Sequence, residues 1–341
     1  MSSAQLTIHQ FAARSMGSAL RLSVVLAAGG RWRARDAWRA VLAEFAETDA
    51  ALSGFRADSA LSVLNRDAGH RQPCGVDTRL YRALATACRA TRVTGGRFDP
   101  RVYVHLARLD WPGARFGAAA PLPSAPSAEA AGEESWLARE PRGHAVAVTS
   151  PLDLGGLGKG LALRWALRRA RQALAAPGTS GALLEAGGDI VAFEPSPQGG
   201  PWLVSIEDPA GSDDPRAVVT VHFGAICTSS IRIGRWLDPW GQPAHHLIDP
   251  ASGEPARNGL SAVTVAHGDP AWAEVWSKAL FLTGPREVGE AARQRGMAAW
   301  WIDTDGVLGM TPAARQRTLW TRDEGALTDY LPDGTIPARI A

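Results

Sequence analysis

The stretch Asp153–Ala170, DLGGLGKGLALRWALRRA, opens with a carboxylate, sets four glycines between positions 155 and 160, and places a lysine among them. Apolar residues at helical spacing follow. Just upstream, HAVAVTSP (144–151) alternates as a strand does. The segment therefore reads as a strand, a glycine turn and a helix of about 18 residues starting at Leu157. A helix N-terminus offers unpaired backbone N–H groups and a partial positive charge, and glycines let a phosphate come close to the backbone. Lys159 adds a full charge, and Asp153 is set to bond a ribose or amide, or to cap the turn. A phosphate cradle and a plain strand-to-helix turn with a solvated lysine both remain open. The spacing matches neither a P-loop nor a GxGxxG fingerprint.

Outward from this stretch, strands and helices are mixed. Residues 5–28 read as one or two strands. From Arg33 to about Leu52 the positions Trp38, Val41, Leu42 and Phe45 recur at helical spacing. A short helix is expected from Asp58 or Ser59, and another from Asp77 to Thr94, stopped by Gly95 and Gly96. GALLEAGGDIVAF (181–193) reads as strand, turn, strand, and strands with turns continue to Ala266. Residues 271–296 read as two helices, and 297–310 as a closing hairpin with Asp-Gly at its turn. Residues 111–135 are rich in Pro, Ala, Ser and Gly, the composition of a flexible loop, and no chemistry is expected there. The tail 312–341 is polar and short on pattern. The expected architecture is α+β, with mixed sheets packed against helices in a single domain over 1–341.

Composition bounds the function. The chain has 341 residues, 45% of them hydrophobic and 21% charged, with a net charge of +2. Nothing in that balance marks a nucleic-acid binder. No segment approaches the ~18 apolar residues of a membrane span, and LRLSVVLAA near the start reads as a strand rather than a signal peptide. A cytoplasmic protein is expected. Cys74, Cys88 and Cys227 lack metal-ligand spacing and read as small buried side chains in a reducing compartment.

Two further segments carry polar groups. In LLEAGGDIVAF, Glu185 and Asp189 flank two glycines, which by itself reads as a tight hairpin turn with two exposed acids. In ICTSSIRIGRW…HHLIDPASGEPA, His245 and His246 precede a turn starting at Asp249-Pro250 and closing at Gly253. A histidine beside an aspartate suits general-base work, because its ordinary pKa of about 6.5 lies near working pH. Thr228, Ser229 and Ser230 supply hydroxyls.

Taken in order, these motifs resemble the ApbE family of FAD:protein FMN transferases. The resemblance rests on SMGS (15–18), FRADSALSVLNRDAG (55–69), GGRFDPRV (95–102), DLGGLGKG (153–160), LEAGGDI (184–190), CTSS (227–230), HLIDPASGEP (246–255) and AEVWSKALFLTG (273–284). It spans roughly residues 14 to 310. It implies an ApbE-like, T-fold-like architecture and cleavage of FAD. The FMN half passes through a phosphoester to a Thr or Ser hydroxyl of an acceptor flavoprotein, and AMP leaves. It implies that Met16, Phe55, Arg97, Phe98, Asp99, Asp153, Lys159, Glu185 and Ile248 line the FAD site. It also implies that His246 is the base, with Lys159 and Asp249 completing the catalytic set. Phenylalanine stands at position 55 where the family usually has tyrosine, and stacking needs only its π-face. An FAD-binding protein without turnover, or an FAD pyrophosphatase giving FMN and AMP, would share this pattern.

One segment departs from the family. Its metal-binding pattern is A-D-A-L-S-T-A, in which the aspartate, the threonine and a carbonyl of the glycine turn hold Mg2+. Here residues 273–279 read AEVWSKA, with Glu274 for the aspartate and Lys278 for the threonine. By that match Gly156, Glu274 and Ser277 are the remaining metal candidates. An ammonium at 278 would repel a cation, and Glu274 and Lys278 at i, i+4 can pair directly. Either Lys278 takes over the ion's electrostatic role, or it points to solvent and the ion stays.

Overall fold

A computed structural model describes residues 6–27, 30–70, 72–115, 136–140, 143–175, 179–193, 196, 200–323 and 338–340. In chain order the elements begin with β1 (Leu6–Ser15), β2 (Ser18–Ala27), α1 (Arg31–Leu52), α2 (Ala60–Arg66), β3 (Cys74–Gly75), α3 (Thr78–Val93) and α4 (Tyr103–Arg108). Next come β4 (Leu137–Glu140), β5 (Ala145–Val148), α5 (Gly158–Leu174), β6 (Thr179–Ala186), β7 (Asp189–Phe193), β8 (Trp202–Ile206), β9 (Ala217–Val221) and β10 (Gly224–Ser230). The chain continues through β11 (Arg235–Leu237), β12 (Pro243–His245), β13 (Leu260–His267), α6 (Pro270–Phe281) and α7 (Val288–Arg293). It ends with β14 (Ala298–Asp303), β15 (Leu308–Met310), α8 (Pro312–Arg315), β16 (Thr318–Thr321) and β17 (Ala338–Ile340). The architecture is α+β, as expected. No helix of the described residues is long and apolar enough to cross a membrane.

The chain divides into two compact units. Residues 1–45, 159–232 and 259–341 form the first, and residues 46–158 and 233–258 the second. The first unit is built on an eight-stranded sheet in the order β1-β2-β6-β7-β10-β13-β14-β15, antiparallel throughout. Both faces of its central strands are buried, because alternate residues serve different cores. Leu20, Leu22, Val24 and Leu26 of β2 and Leu184 and Ala186 of β6 join one core with Val41 and Phe45 of α1 and Ala162, Leu163, Ala166 and Ala170 of α5. Val25, Leu183 and Ile190 point the other way and meet Val204, Ile206, Val219 and Val221 of β8 and β9. Those two strands belong to a second sheet, in the order β16-β9-β8-β17. The tail expected to lack pattern therefore adds α8 and β16, and Trp300 donates its indole N–H to Thr318 Oγ1 at 2.9 Å. Residues 324–337 and 341 of that tail lie outside the described residues.

The second unit is largely helical, with the small sheets β3-β5-β4 and β11-β12. Two of its helices, α2 and α3, begin at side-chain caps. Ser59 Oγ accepts from Ser62 N–H at 3.0 Å, which decides between Asp58 and Ser59, and Asp77 caps α3 through Arg79 and Leu80 N–H. Gly95 and Gly96, with φ of 62° and 79°, end α3 in the left-handed region. Residues 111–115, expected to be part of a loop, hold the turn Pro112–Ala114 and a packed Trp111. The rest of that segment, 116–135, lies outside the described residues.

Candidate active site

In the second unit, two main-chain anchors fix the segment that leads from β5 into the glycine turn. Asn65, buried on α2, donates to Leu152 O at 2.8 Å and accepts from Leu152 N–H at 2.9 Å. Asp153 N–H donates to Pro100 O at 2.7 Å. Thus Asn65 of FRADSALSVLNRDAG and Pro100 of GGRFDPRV anchor the approach to the glycine turn, and Asn65 is a residue the sequence reading did not single out. The turn closes through Gly158 N–H to Leu154 O at 2.8 Å, with Gly156 half-buried within it. The Asp153 carboxylate folds back over Gly155, where an added Cβ would stand 3.3 Å from both oxygens.

The candidate residues 97–99 separate in role. Arg97 is exposed and Phe98 is buried. Asp99 is buried too, but its carboxylate is engaged by Arg101, whose Nε lies 3.0 Å from Oδ1 and whose terminal nitrogen lies 2.6 Å from Oδ2. Asp99 also accepts from Arg101 N–H at 2.9 Å and caps the 3-10 turn Pro100–Val102. A fork so completely used holds the loop's shape rather than a ligand.

Around His246 the second unit builds an aromatic cluster. Trp111 lies 6.4 Å from the His246 ring at 27°, 4.7 Å from Trp236 and 5.9 Å edge-on from Phe55. Trp236 is anchored by its indole N–H to Leu109 O at 2.6 Å. On the other side, a Cβ at Gly234 would fall 2.6 Å from His246 Nδ1, and Gly234 has a φ of +70°. Only glycine leaves that space and accepts that backbone. Phe55 is 59% exposed, so one aromatic face is open to a planar ring. Ile248 is buried against Tyr103, Leu106 and Leu109. Asp249 shapes the loop: its Oδ1 accepts from Ala251 N–H at 3.0 Å, and its carbonyl accepts from Gly253 N–H at 2.7 Å. Trp111 is the functional candidate that composition concealed, since it opens a Pro- and Ala-rich run.

In the first unit, the ends of β7, β10, α5 and α6 assemble charges. Lys159, in the first turn of α5, forms ion pairs with Asp189 on β7 and with Glu274 Oε1 on α6, the latter at 3.1 Å. Glu274 Oε2 accepts from Gly160 N–H at 2.7 Å, and Lys278 Nζ stands 3.4 Å from Oε1. Asp189 Oδ1 accepts from Thr228 N–H at 3.2 Å. Gly160 is required here, because an added Cβ would lie 2.6 Å from Ala271 Cα. Burial disfavours charge on Lys159, but Asp189 and Glu274 outweigh it and hold the ammonium far above the ordinary lysine value. Burial likewise disfavours charge on Glu274, but Lys159, Lys278 and the Gly160 N–H hold its carboxyl below the usual range.

Asp189 and Glu185, read from their hairpin as exposed acids, are both buried. Their strands are central in the eight-stranded sheet, which the local sequence does not show. Glu185 pairs with Arg21 at 3.0 Å, and burial lifts its carboxyl above the ordinary value despite that arginine. Ser229 and Ser277 share a hydrogen bond of 2.7 Å, and Thr228 and Thr264 one of 2.8 Å, so the Thr228 and Ser229 hydroxyls of β10 have partners in their own unit. Cys227 is buried, and burial pushes its thiol well up, which leaves it no nucleophile. Cys74 and Cys88, expected to be buried, are partly exposed. Met16 occupies the β1–β2 turn at φ 48°, followed by Gly17 at 72°, with its side chain against the first core.

These residues do not fit a magnesium ion. Magnesium takes oxygen ligands octahedrally at about 2.0–2.1 Å. One oxygen of Glu274 is spent on Gly160 N–H and the other faces two ammonium groups. Ser277 Oγ is shared between Ser229 Oγ and Glu274 O. Among the described residues no group of three or more His, Cys, Asp or Glu comes together to hold a metal.

The ApbE family model matches residues 16–301. An FAD:protein FMN transferase of Escherichia coli strain K12 is 32% identical over 157 residues, 46% of this chain and 43% of that enzyme. The chain thus matches less than half the length of the first curated relatives. An FAD:protein FMN transferase of Treponema pallidum is 31% identical over 253 residues, 68% of this chain and 67% of that one. The crystal structure of an ApbE protein from Thermotoga maritima superposes with a TM-score of 0.75 at 24% identity, over 91% of this chain and 99% of that one.

Proposed function

The chain belongs to the ApbE family, and from that membership we propose that it transfers the FMN moiety of FAD to a threonine or serine hydroxyl of an acceptor flavoprotein. The acceptor oxygen attacks the phosphorus on the FMN side of the pyrophosphate. A new P–O ester bond forms as the bond to the bridging oxygen breaks. That oxygen leaves on AMP, and the hydroxyl proton passes to a base.

The observation that carries the reading is the buried carboxylate pair fastening Lys159 at the start of α5. Asp189 and Glu274 are 3% and 1% exposed in their side chains, whereas Lys159 is 26% exposed. An ammonium so held is protonated at working pH, paired with two covered carboxylates, and beside a helix N-terminus. That suits charge building on a pyrophosphate oxygen. His246 is assigned the base: its ring is oriented between Trp111 and the Gly234 backbone. Phe55 and Trp111 are assigned to stacking on a planar ring of FAD. Asp153 remains assigned to FAD, and Asp249 to shaping the loop that carries His246. Arg97, Phe98, Asp99 and Ile248 are assigned to supporting the groups of the second unit, and Glu185 and Met16 to supporting those of the first.

The test is incubation of purified protein with FAD and a threonine-containing flavoprotein fragment, followed by chromatography and intact mass. The expected result is AMP together with a mass gain on the fragment equal to one FMN residue. AMP with free FMN and an unmodified fragment would mark a pyrophosphatase. Intact FAD in every lane would mark a binding protein without turnover.

A further inference from the structure

We propose that Lys278 stands in place of a divalent cation, so that this protein binds its pyrophosphate substrate through two ammonium groups and without a metal. The inference rests on the flavin-transfer reading and concerns the charge that neutralises the substrate. Four groups form the cluster: Asp189 and Glu274 as carboxylates, Lys159 and Lys278 as ammoniums. The carboxylates are almost fully covered, while the lysine side chains keep 26% and 17% of their surface. The carboxylates are thus the covered part of the cluster, and the lysine side chains the part that solvent reaches.

Each carboxylate is further committed to the backbone, Glu274 to Gly160 N–H at 2.7 Å and Asp189 to Thr228 N–H at 3.2 Å. A cation would have to displace those donors and sit against two ammonium groups. An anion meets two ammonium ends and the N-terminus of α5. Lys278 lies 3.4 Å from Glu274 Oε1 across one turn of α6, a contact that steers its position but leaves donors of its ammonium to spare. Threonine at this position would present a hydroxyl oxygen to a metal; lysine presents the charge itself.

Two binding measurements test this. Protein freed of metal by EDTA is titrated with magnesium chloride alone by calorimetry, and FAD is titrated by flavin fluorescence in EDTA and in magnesium buffer. No saturable magnesium heat is expected, with FAD affinities in the two buffers within about twofold. Saturable magnesium binding by the native protein, or FAD affinity at least about tenfold weaker in EDTA, overturns the inference while leaving flavin transfer intact. FAD binding in neither buffer overturns the flavin reading and this inference with it. In EDTA, Lys278→Met is expected to weaken FAD by about tenfold, as loss of a charge-assisted hydrogen bond does. An unchanged affinity in that variant overturns the role of the ammonium.

Discussion

Replacement of Glu274 by alanine probes the charge cluster most directly. The carboxylate is 1% exposed in its side chain and receives Lys159, Lys278 and the Gly160 N–H. Removing it leaves Lys278 without this carboxylate, while Lys159 keeps Asp189. Breaking a buried pair by deleting one partner costs about 3–5 kcal/mol, mostly because the other charge stays buried and uncompensated. The stripped Gly160 N–H adds about 1–3 kcal/mol when no water reaches it. The retained Asp189 and the partial exposure of both lysines pull the sum back, so a loss of about 3–5 kcal/mol is expected for Glu274→Ala. Glu274→Gln keeps an oxygen for Gly160 N–H and should lose about 1–2 kcal/mol less. Equilibrium urea unfolding followed by tryptophan fluorescence reads both. A loss below about 1 kcal/mol in Glu274→Ala, at unchanged m-value, would refute a stabilising role for this carboxylate between α5 and α6.

Gly234→Ala drives a methyl group to within 2.6 Å of His246 Nδ1. Turnover should fall by about 100-fold, as a displacement of roughly 1 Å can cost that much, with KM for FAD little changed; a fall in affinity alone would contradict the orienting role. Trp111→Ala removes contacts to His246, Trp236 and Phe55. At ~0.5–1.5 kcal/mol per aromatic pair, FAD affinity measured by fluorescence should drop about tenfold, and an unaltered value would exclude Trp111 from the stacking platform. Acid stability follows from Glu274, whose folded pKa is depressed. Its contribution is fully present above the unfolded value of about 4.3 and is lost as pH falls through the folded one. The urea midpoint of the native protein should therefore fall more steeply below about pH 4 than that of Glu274→Gln, and parallel curves would contradict the assignment.

Local structure was legible wherever the cause is local. Ser59 and Asp77 cap the helices that follow them, and the Trp38–Phe45 spacing marks the buried stripe of α1. What was hidden depends on pairing across long separations. β2 pairs with β6, so Arg21 meets Glu185 across 164 positions, and this puts under cover an acid that its own hairpin would leave in water. The partner of Lys159 was obscured for the same reason, since Asp189 and Glu274 reach it from 30 and 115 positions away. Lys278 opposite Glu274 was legible, because an i, i+4 contact needs only the helix. Trp111 was misplaced because composition averages a window, and the one aromatic at its edge is packed while the window itself looks unstructured. Asp99 drew attention as a ligand because of its motif, yet Arg101, two positions on, takes it over.

Gly160 carries a consequence for how the first unit breathes. Its backbone amide is clasped by Glu274 Oε2, and its missing side chain lets α5 touch the main chain of α6 at Ala271. For that amide to meet solvent, the two helices must part and a buried carboxylate must let go. Its hydrogen-exchange rate is thus a clock for opening of this seam alone, readable at one residue without unfolding the chain. A pyrophosphate that grips Lys159 and Lys278 would slow the clock from outside, linking occupancy at the surface to a proton that never faces the ligand.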